Sequence, residues 1–167
     1  TGVVRQITKS AGARERSAAF LDDEQIVLVT DRGGEQQLGR LQLGAPGAPY
    51  LLTDDRVDWL LDVVVAPDGK RIAITDRTGR LHLLELSTGD LKTIDRSAAG
   101  EITDVAFSGD SMWLAFARPM PGAWSNVAIH AVRTGRTIEV SNGLTRDGSP
   151  RFSTDGRYLF FLSDRDF

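Results

Sequence analysis

One short motif recurs along this sequence at a nearly constant interval. Residues 65–74 (VAPDGKRIAI), 107–116 (FSGDSMWLAF) and 152–160 (FSTDGRYLF) each place an apolar residue before a polar turn and an apolar run after it. Residues 20–23 (FLDD) form a weaker first copy. The leading apolar residues stand at positions 20, 65, 107 and 152, so the intervals are 45, 42 and 45 residues. A period of this length predicts a series of similar units that pack against one another.

Each unit is predicted to contain four short β-strands. Asp-Gly and Thr-Gly pairs separate apolar runs, and glycine and aspartate favour tight reversals of the chain. No segment of helical length shows a 3.6-residue period. The predicted fold class is therefore all-β, and units of four strands at this spacing are typical of β-propeller blades. In the second and third units the predicted strands are residues 58–65, 71–75, 81–86 and 91–94, then 101–107, 113–117, 127–132 and 137–140.

The strand count predicts a partial propeller over residues 1–167. It amounts to about three and a half four-stranded antiparallel blades, whereas a closed propeller has about four to eight. We expect a piece of a larger protein, whose open blade edges could pair between two copies. The predicted parts are the last strand of a preceding blade at residues 1–8, blades at 16–53, 58–96 and 101–145, and an incomplete blade at 149–167.

Composition excludes several classes of protein. The chain is 41% hydrophobic and 26% charged, which argues against disorder. A net charge of -3 leaves no basic excess for nucleic acid, and no apolar stretch approaches the roughly 20 residues that cross a membrane. There is no cysteine, which removes disulfides and thiolate metal sites. Because no export signal is visible either, we expect a cytoplasmic protein.

Residues 152–161 (FSTDGRYLFF) fit the pattern x-S-x-D-G-[KR]-x-[IL]-[AF]-[FI]. This pattern resembles the repeat shared by TolB, tricorn protease and the prolyl-oligopeptidase propellers. Residues 158–167 (YLFFLSDRDF) look more specifically like the second, seven-bladed propeller of tricorn proteases. The repeat likeness spans most of the chain, whereas the tricorn-specific part covers residues 158–167 alone. The Asp-Gly turn departs from the pattern in the third copy, as Asp110-Ser111, and in the first, as Asp23-Glu24.

The resemblance implies a propeller segment in the N-terminal part of a large cytoplasmic serine peptidase that degrades oligopeptides. In that family the catalytic residues lie in domains that follow the propellers, so no catalytic, cofactor-binding or metal-binding residue is carried over to this chain, and no cofactor is expected. The segment would guide oligopeptides, with the remaining blades and the catalytic domains as its partners. Two alternatives stay open. A TolB-like propeller would bind proteins, and a prolyl-oligopeptidase-like propeller would gate an α/β-hydrolase domain.

The residues that could carry chemistry have structural explanations at the same repeat positions. His82 and His130 lie in third strands of neighbouring units, and no G-x-S-x-G motif accompanies them, so we favour structural roles over a catalytic triad or a zinc site. Aspartates at the turns are predicted to cap those turns. For the Asp-Arg pairs at 31/32, 76/77 and 164/165, the repetition favours blade-to-blade pairing or hydrogen bonding over binding of charged substrate termini.

Peptide contacts are predicted at two places. Residues 118–126 form a connector four residues longer than its counterpart in the second unit, and they carry Arg118 and Trp124. A stiff loop with an aromatic and an arginine is a plausible peptide contact, although Trp124 could instead pack against a neighbouring blade. Innermost strands should line the propeller axis, where the candidates are Asp58, Thr103, Asp104 and Arg151. The residues predicted to bind peptide are Arg118, Trp124, Asp104 and Arg151.

Overall fold

The computed structural model describes residues 2, 4–54 and 57–165 of the chain. This part contains fourteen strands and no helix, and hence no helix that could cross a membrane. The strands are β1 Glu15–Phe20, β2 Gln25–Thr30, β3 Gln37–Gln42, β4 Tyr50–Leu51, β5 Leu60–Val65, β6 Arg71–Asp76, β7 Arg80–Glu85, β8 Leu91–Arg96, β9 Thr103–Phe107, β10 Trp113–Met120, β11 Trp124–Ala131, β12 Arg136–Glu139, β13 Gly148–Phe152 and β14 Leu159–Leu162.

The chain divides into two compact units, residues 1–60 and 61–167. The first contains one antiparallel sheet in the order β1-β2-β3-β4. Alternate residues of β2 and β3 face one side of this sheet, as the two-residue period of a strand requires. Ile26, Leu28 and Leu41 form a buried cluster there, against which Ile7 and Leu43 pack.

The second unit contains three sheets, β5-β6-β7-β8, β9-β10-β11-β12 and β13-β14. In each sheet, consecutive strands are neighbours and antiparallel. The core lies between the first two sheets. Its buried members are Ala73, Leu81, Ile102, Val105, Leu114, Phe116 and Ala128, and Val64, Ile94 and Phe107 pack against them.

This architecture confirms the predicted fold class. In the second unit of the repeat, every predicted strand end lies within two residues of the observed one. The assignment of residues 1–8 to a preceding blade stays a prediction: Thr8 forms an isolated parallel bridge with Gly47, while Thr1 and Val3 lie outside the described residues. The other blade limits also stay predictions, and Asp166 and Phe167 of the last blade lie outside the described residues.

The first strand of several sheets has a common irregularity. Register shifts interrupt the pairing of β1 with β2, of β9 with β10 and of β13 with β14. Inside each of these irregular stretches lies one non-glycine residue with positive φ, namely Ser17 at 54°, Asp104 at 56° and Ser149 at 51°. A bulge of this kind turns a side chain away from the strand's regular alternation. It sets the direction of the candidate channel residue Asp104.

Candidate functional site

Asp76 and His82 form a buried pair within the β5–β8 sheet. His82 Nε2 lies 2.9 Å from Asp76 Oδ2, and Thr93 Oγ1 lies 3.1 Å from His82 Nδ1. Asp76 is 0% exposed and His82 is 3% exposed. Asp76 Oδ1 accepts backbone N–H bonds from Thr78 and Arg80. Burial raises the pKa of Asp76, but the hydrogen bonds that the carboxylate accepts outweigh burial, so its pKa lies below the ordinary value.

Hydroxyl, imidazole and carboxylate are the groups of a catalytic triad, but here their arrangement is reversed. In a serine-type triad the carboxylate holds Nδ1 and the hydroxyl contacts Nε2. Asp76 instead contacts Nε2, and Thr93 contacts Nδ1. Both ring nitrogens of His82 are also already engaged within the sheet. The geometry favours the predicted structural role, in which His82 ties the β6–β7 turn to β8.

His130 occupies a different position in the β9–β12 sheet. Its Nδ1 lies 2.9 Å from Thr137 Oγ1, and the residue is 3% exposed. Burial lowers the pKa of His130, and the Asp95 carboxylate partly offsets this, so the imidazole is neutral at pH 7. Among residues 2, 4–54 and 57–165, no group of three or more histidine, aspartate or glutamate side chains could hold a metal ion.

The turn aspartates cap their own turns, as predicted. Asp68, Asp110 and Asp155 each accept the backbone N–H two residues further on, at 3.0, 3.0 and 3.1 Å. The hydroxyls of Ser108 and Ser153 donate to Asp110 and Asp155, both at 2.6 Å. These hydroxyl bonds are the main reason why the pKa values of Asp110 and Asp155 lie below the ordinary range. The carboxylates therefore fix the chain reversals between strands.

The aspartates of the Asp-Arg pairs also bind groups of their own chain. Asp31 Oδ1 accepts the backbone N–H of Arg14 at 2.6 Å, and Asp164 Oδ1 accepts that of Arg146 at 2.7 Å. In the second copy, Asp76 contacts His82 instead. Hydrogen bonding within the fold, which the repetition predicted, accounts for all three carboxylates.

Arg118, a predicted peptide contact, lies between two carboxylates. Its Nη2 is 2.7 Å from Asp95 Oδ2, and its Nη1 is 2.8 Å from Glu139 Oε1. The guanidinium carbon lies 6.0 Å from the centre of the Phe116 ring. Because Asp95 belongs to β8, this ion pair joins the β5–β8 and β9–β12 sheets. A peptide carboxylate would have to displace one of these partners to bind Arg118.

Residues 118–126 are mostly strand, so the prediction of a long loop was wrong. β10 continues to Met120 and β11 begins at Trp124, which leaves three residues for the turn. The two prolines of this segment suggested a break in the strand, because proline cannot donate to a sheet. Pro119 is tolerated because β9 pairs with β10 only as far as Ala117, so Pro119 lies on a free strand edge.

Two connectors hold this projecting hairpin from either side. On one side, Ser97 Oγ donates to Pro119 O at 2.8 Å. On the other, the backbone N–H of Ser125 donates to Thr145 O at 3.1 Å, and that of Asp147 donates to Ser125 O at 2.9 Å. These bonds tie both hairpin strands to the flanking connectors. The hairpin is therefore a rigid support for the side chains at its tip.

An open groove of about 600 Å³ lies between the hairpin and residues 96–99. We name it the hairpin groove. Met120, Pro121 and Trp124 contribute apolar surface to it. The Trp124 indole lies against Gly122, where an added Cβ would be 3.0 Å from Trp124 Nε1. Trp124 is half-buried, so its ring both packs on the hairpin and contributes to the wall of the groove.

Asp104 and Arg151 do not join this site. Asp104 Oδ2 accepts the backbone N–H of Ser149 at 2.9 Å, which links β9 to β13. Arg151 is exposed on β13. Among the described residues, no hydrogen bond or ion pair connects either residue with Arg118 or Trp124. Of the four predicted peptide contacts, Arg118 and Trp124 therefore lie on the hairpin. Asp104 and Arg151 lie on the first strands of their sheets, β9 and β13.

The repeated antiparallel sheets and their capped turns define a segment of a β-propeller. Solved structures share this fold. The crystal structure of the tricorn protease is 19% identical with a TM-score of 0.84, and the match covers 92% of this chain and 15% of that chain. The putative TolB from Agrobacterium tumefaciens is 17% identical with a TM-score of 0.64, over 86% of this chain and 52% of that chain.

Sequence comparison identifies the family. A family model described as the tricorn protease second beta propeller domain matches residues 1–167. Tricorn protease homolog 1 of Streptomyces coelicolor is 32% identical over 173 residues, which cover 100% of this chain and 16% of that relative. The chain belongs to the family of second β-propeller domains of tricorn proteases. It spans 16% of the length of this relative.

Proposed function

We propose that this chain is the non-catalytic propeller segment of a tricorn-like serine peptidase, and that it guides oligopeptides to an active site in other domains. The match of the second-propeller family model over residues 1–167 carries this proposal. The remaining blades and the catalytic domains are its partners, and the parent protein acts in the cytoplasm. Association of two copies through open strand edges stays a prediction for the isolated segment.

The contacts of the two histidines support a guiding role. The two histidines of the chain are each 3% exposed; both ring nitrogens of His82 contact side chains of its own sheet, whereas His130 contacts Thr137 through Nδ1 alone. In both cases the threonine hydroxyl contacts Nδ1, whereas a serine-type triad places the hydroxyl of the nucleophile at Nε2.

The hairpin groove is the peptide contact in this proposal. Its hairpin is tied to connectors on both sides, so little conformational entropy is lost when a peptide binds. Trp124 presents an aromatic surface, and aromatic side chains in such positions contribute much of the binding free energy at interfaces. Arg118, held by Asp95 and Glu139, supports the base of the hairpin and is not a free cation for the peptide.

A TolB-like role in protein binding is the second candidate, since the TolB structure has the same fold at a TM-score of 0.64. Such a module would bind a protein partner without any effect on peptide hydrolysis. The hairpin groove would then be a docking surface for that partner. Peptide kinetics of a hairpin variant separate the two roles.

We expect Trp124→Ala in the full-length protein to lower kcat/KM about fivefold for a peptide of about ten residues, because an aromatic contact at a hot spot is lost. The value for a fluorogenic dipeptide should stay unchanged, since a short substrate does not need the guiding surface. Steady-state kinetics with both substrates measure the effect. Trp113→Ala is the matched control, because Trp113 is a half-exposed tryptophan at the other end of β10.

An equal loss of kcat/KM for the long and the short substrate would mean that Trp124 affects the active site and not the guiding of peptides. If neither Trp124→Ala nor Trp113→Ala changed kcat/KM for either substrate, the result would contradict the peptide-guiding role and leave the TolB-like role.

A further inference from the structure

A second groove lies between the β5–β8 and β9–β12 sheets, on the side of the Thr-Gly turns. We name it the intersheet groove. It has a volume of about 750 Å³ and shares no lining residue with the hairpin groove. Binding sites for small organic molecules typically have volumes of about 300 to 1,000 Å³. The intersheet groove is therefore large enough for such a ligand.

Apolar side chains from both sheets form part of the lining. Leu83 and Ile94 come from the β5–β8 sheet, and Val132 follows β11 in the other sheet. All three are half-buried, so part of each side chain remains accessible. Burial of an apolar group against such a surface stabilises a complex, because apolar area is removed from water. The ligand should therefore contain an apolar group.

The charged side chains at the groove form one ion-paired cluster and a set of three exposed groups. Arg71 lies between two carboxylates, with 2.9 Å from its Nε to Glu85 Oε2 and 3.2 Å from its Nη1 to Asp68 Oδ2. The remaining charged groups are the cations Lys92 and Arg133 and the carboxylate of Asp90, all three exposed. With Asp68 counted, these charges balance, so an anion would be bound by the exposed cations Lys92 and Arg133 themselves. Arginine binds carboxylates with two parallel hydrogen bonds.

His130 supplies a buried polar group to the same lining. It is 3% exposed, and Thr137 Oγ1 contacts its Nδ1 at 2.9 Å. Its Nε2 is therefore the nitrogen left for another partner. A ligand oxygen can accept a hydrogen bond from Nε2 in the tautomer that protonates this nitrogen.

We propose that the intersheet groove binds an organic carboxylate that carries an apolar group. The carboxylate binds Arg133 and Lys92, and the apolar group lies against Leu83, Ile94 and Val132. A free aliphatic acid and the C-terminus of a peptide both have this chemistry. The site does not depend on the peptide-guiding role of the hairpin groove.

The test is isothermal titration calorimetry on the full-length protein with three probes: sodium hexanoate, N-acetyl-leucine and N-acetyl-leucine amide. We expect at least one of the two acids to bind and the amide not to bind. Arg133→Ala and Lys92→Ala should each weaken binding of that acid about tenfold, because a charge-assisted hydrogen bond is lost. Arg157→Ala is the control, since Arg157 is an exposed arginine at the β13–β14 turn, outside the groove.

Binding of hexanoate would identify free aliphatic acids as ligands, and binding of N-acetyl-leucine alone would identify peptide C-termini. Equal binding of N-acetyl-leucine and its amide would overturn the proposal, because a carboxylate would then not be recognised. The proposal would also be overturned if neither acid bound at 10 mM, which is roughly the weakest affinity of interest. Unchanged affinity of the acid in both Arg133→Ala and Lys92→Ala would overturn it as well. The kinetics of Trp124→Ala are independent of all these outcomes.

Discussion

Gly79→Ala is expected to lower the free energy of unfolding of the surrounding sheets by about 4 kcal/mol, because it combines overpacking with backbone strain. Gly79 has a φ of 75°, and an added Cβ would lie 2.4 Å from Ser97 O and 2.5 Å from Gly100 O. The backbone N–H of Ser97 also donates to Gly79 O at 2.8 Å, so the turn and the connector cannot separate without losing this bond.

Hydrogen exchange of the full-length protein, read by mass spectrometry over residues 71–107, measures this loss. Gly89→Ala is the matched control, since Gly89 has the same φ of 75° but no atom within 4 Å of an added Cβ. We expect the control to lose about 1 kcal/mol, which is the cost of the left-handed conformation alone. Equal losses in the two variants would contradict the close approach of the two backbone segments.

Asp76→Ala is expected to lower the free energy of unfolding by about 3 kcal/mol, the usual effect of removing one partner from a buried polar pair. The change leaves His82 Nε2 and the backbone N–H groups of Thr78 and Arg80 without their acceptor. The same hydrogen-exchange measurement detects it, because protection of β6 to β8 should fall most. Asp164→Ala, at the corresponding repeat position but exposed, should change protection much less. A similar loss in both variants would contradict the importance of the buried network.

The same pair predicts a dependence of stability on pH. Because folding lowers the pKa of Asp76, its ionised form stabilises the fold at all pH values above the ordinary aspartate pKa of about 3.9. This contribution is lost as the pH falls through the lower pKa of the folded state. The stability difference between the wild type and Asp76→Asn should therefore shrink as the pH falls below about 4. A difference that stays constant down to pH 2 would contradict the lowered pKa.

Much of the fold could be predicted because repetition reinforces local signals. The turn at Asp68-Gly69 recurs in later copies, and each copy places the same strands around it. A single hairpin with this pattern would be ambiguous, but three copies in phase leave little choice of fold class. The bulges at Ser17, Asp104 and Ser149 could not be predicted, since no glycine marks the positive φ at these positions.

The site was harder to predict, because it depends on contacts between distant segments. Pro119 and Pro121 suggested a loop, whereas strand pairing extends past Pro119 on an edge that β9 leaves free. The ion pair of Arg118 with Asp95 joins residues 23 positions apart on different sheets. The pairing of Asp76 with His82 did leave a signal, since both lie on strands joined by one short turn.

The most direct test of the central claim is to capture the native protein with an antibody to residues 118–126, then measure its intact mass and the site labelled by a serine-reactive fluorophosphonate. The proposed role predicts a chain several times longer than 167 residues, with the label on a serine outside this segment. A chain that contains little beyond one propeller, or a label on a residue of this segment, would contradict it.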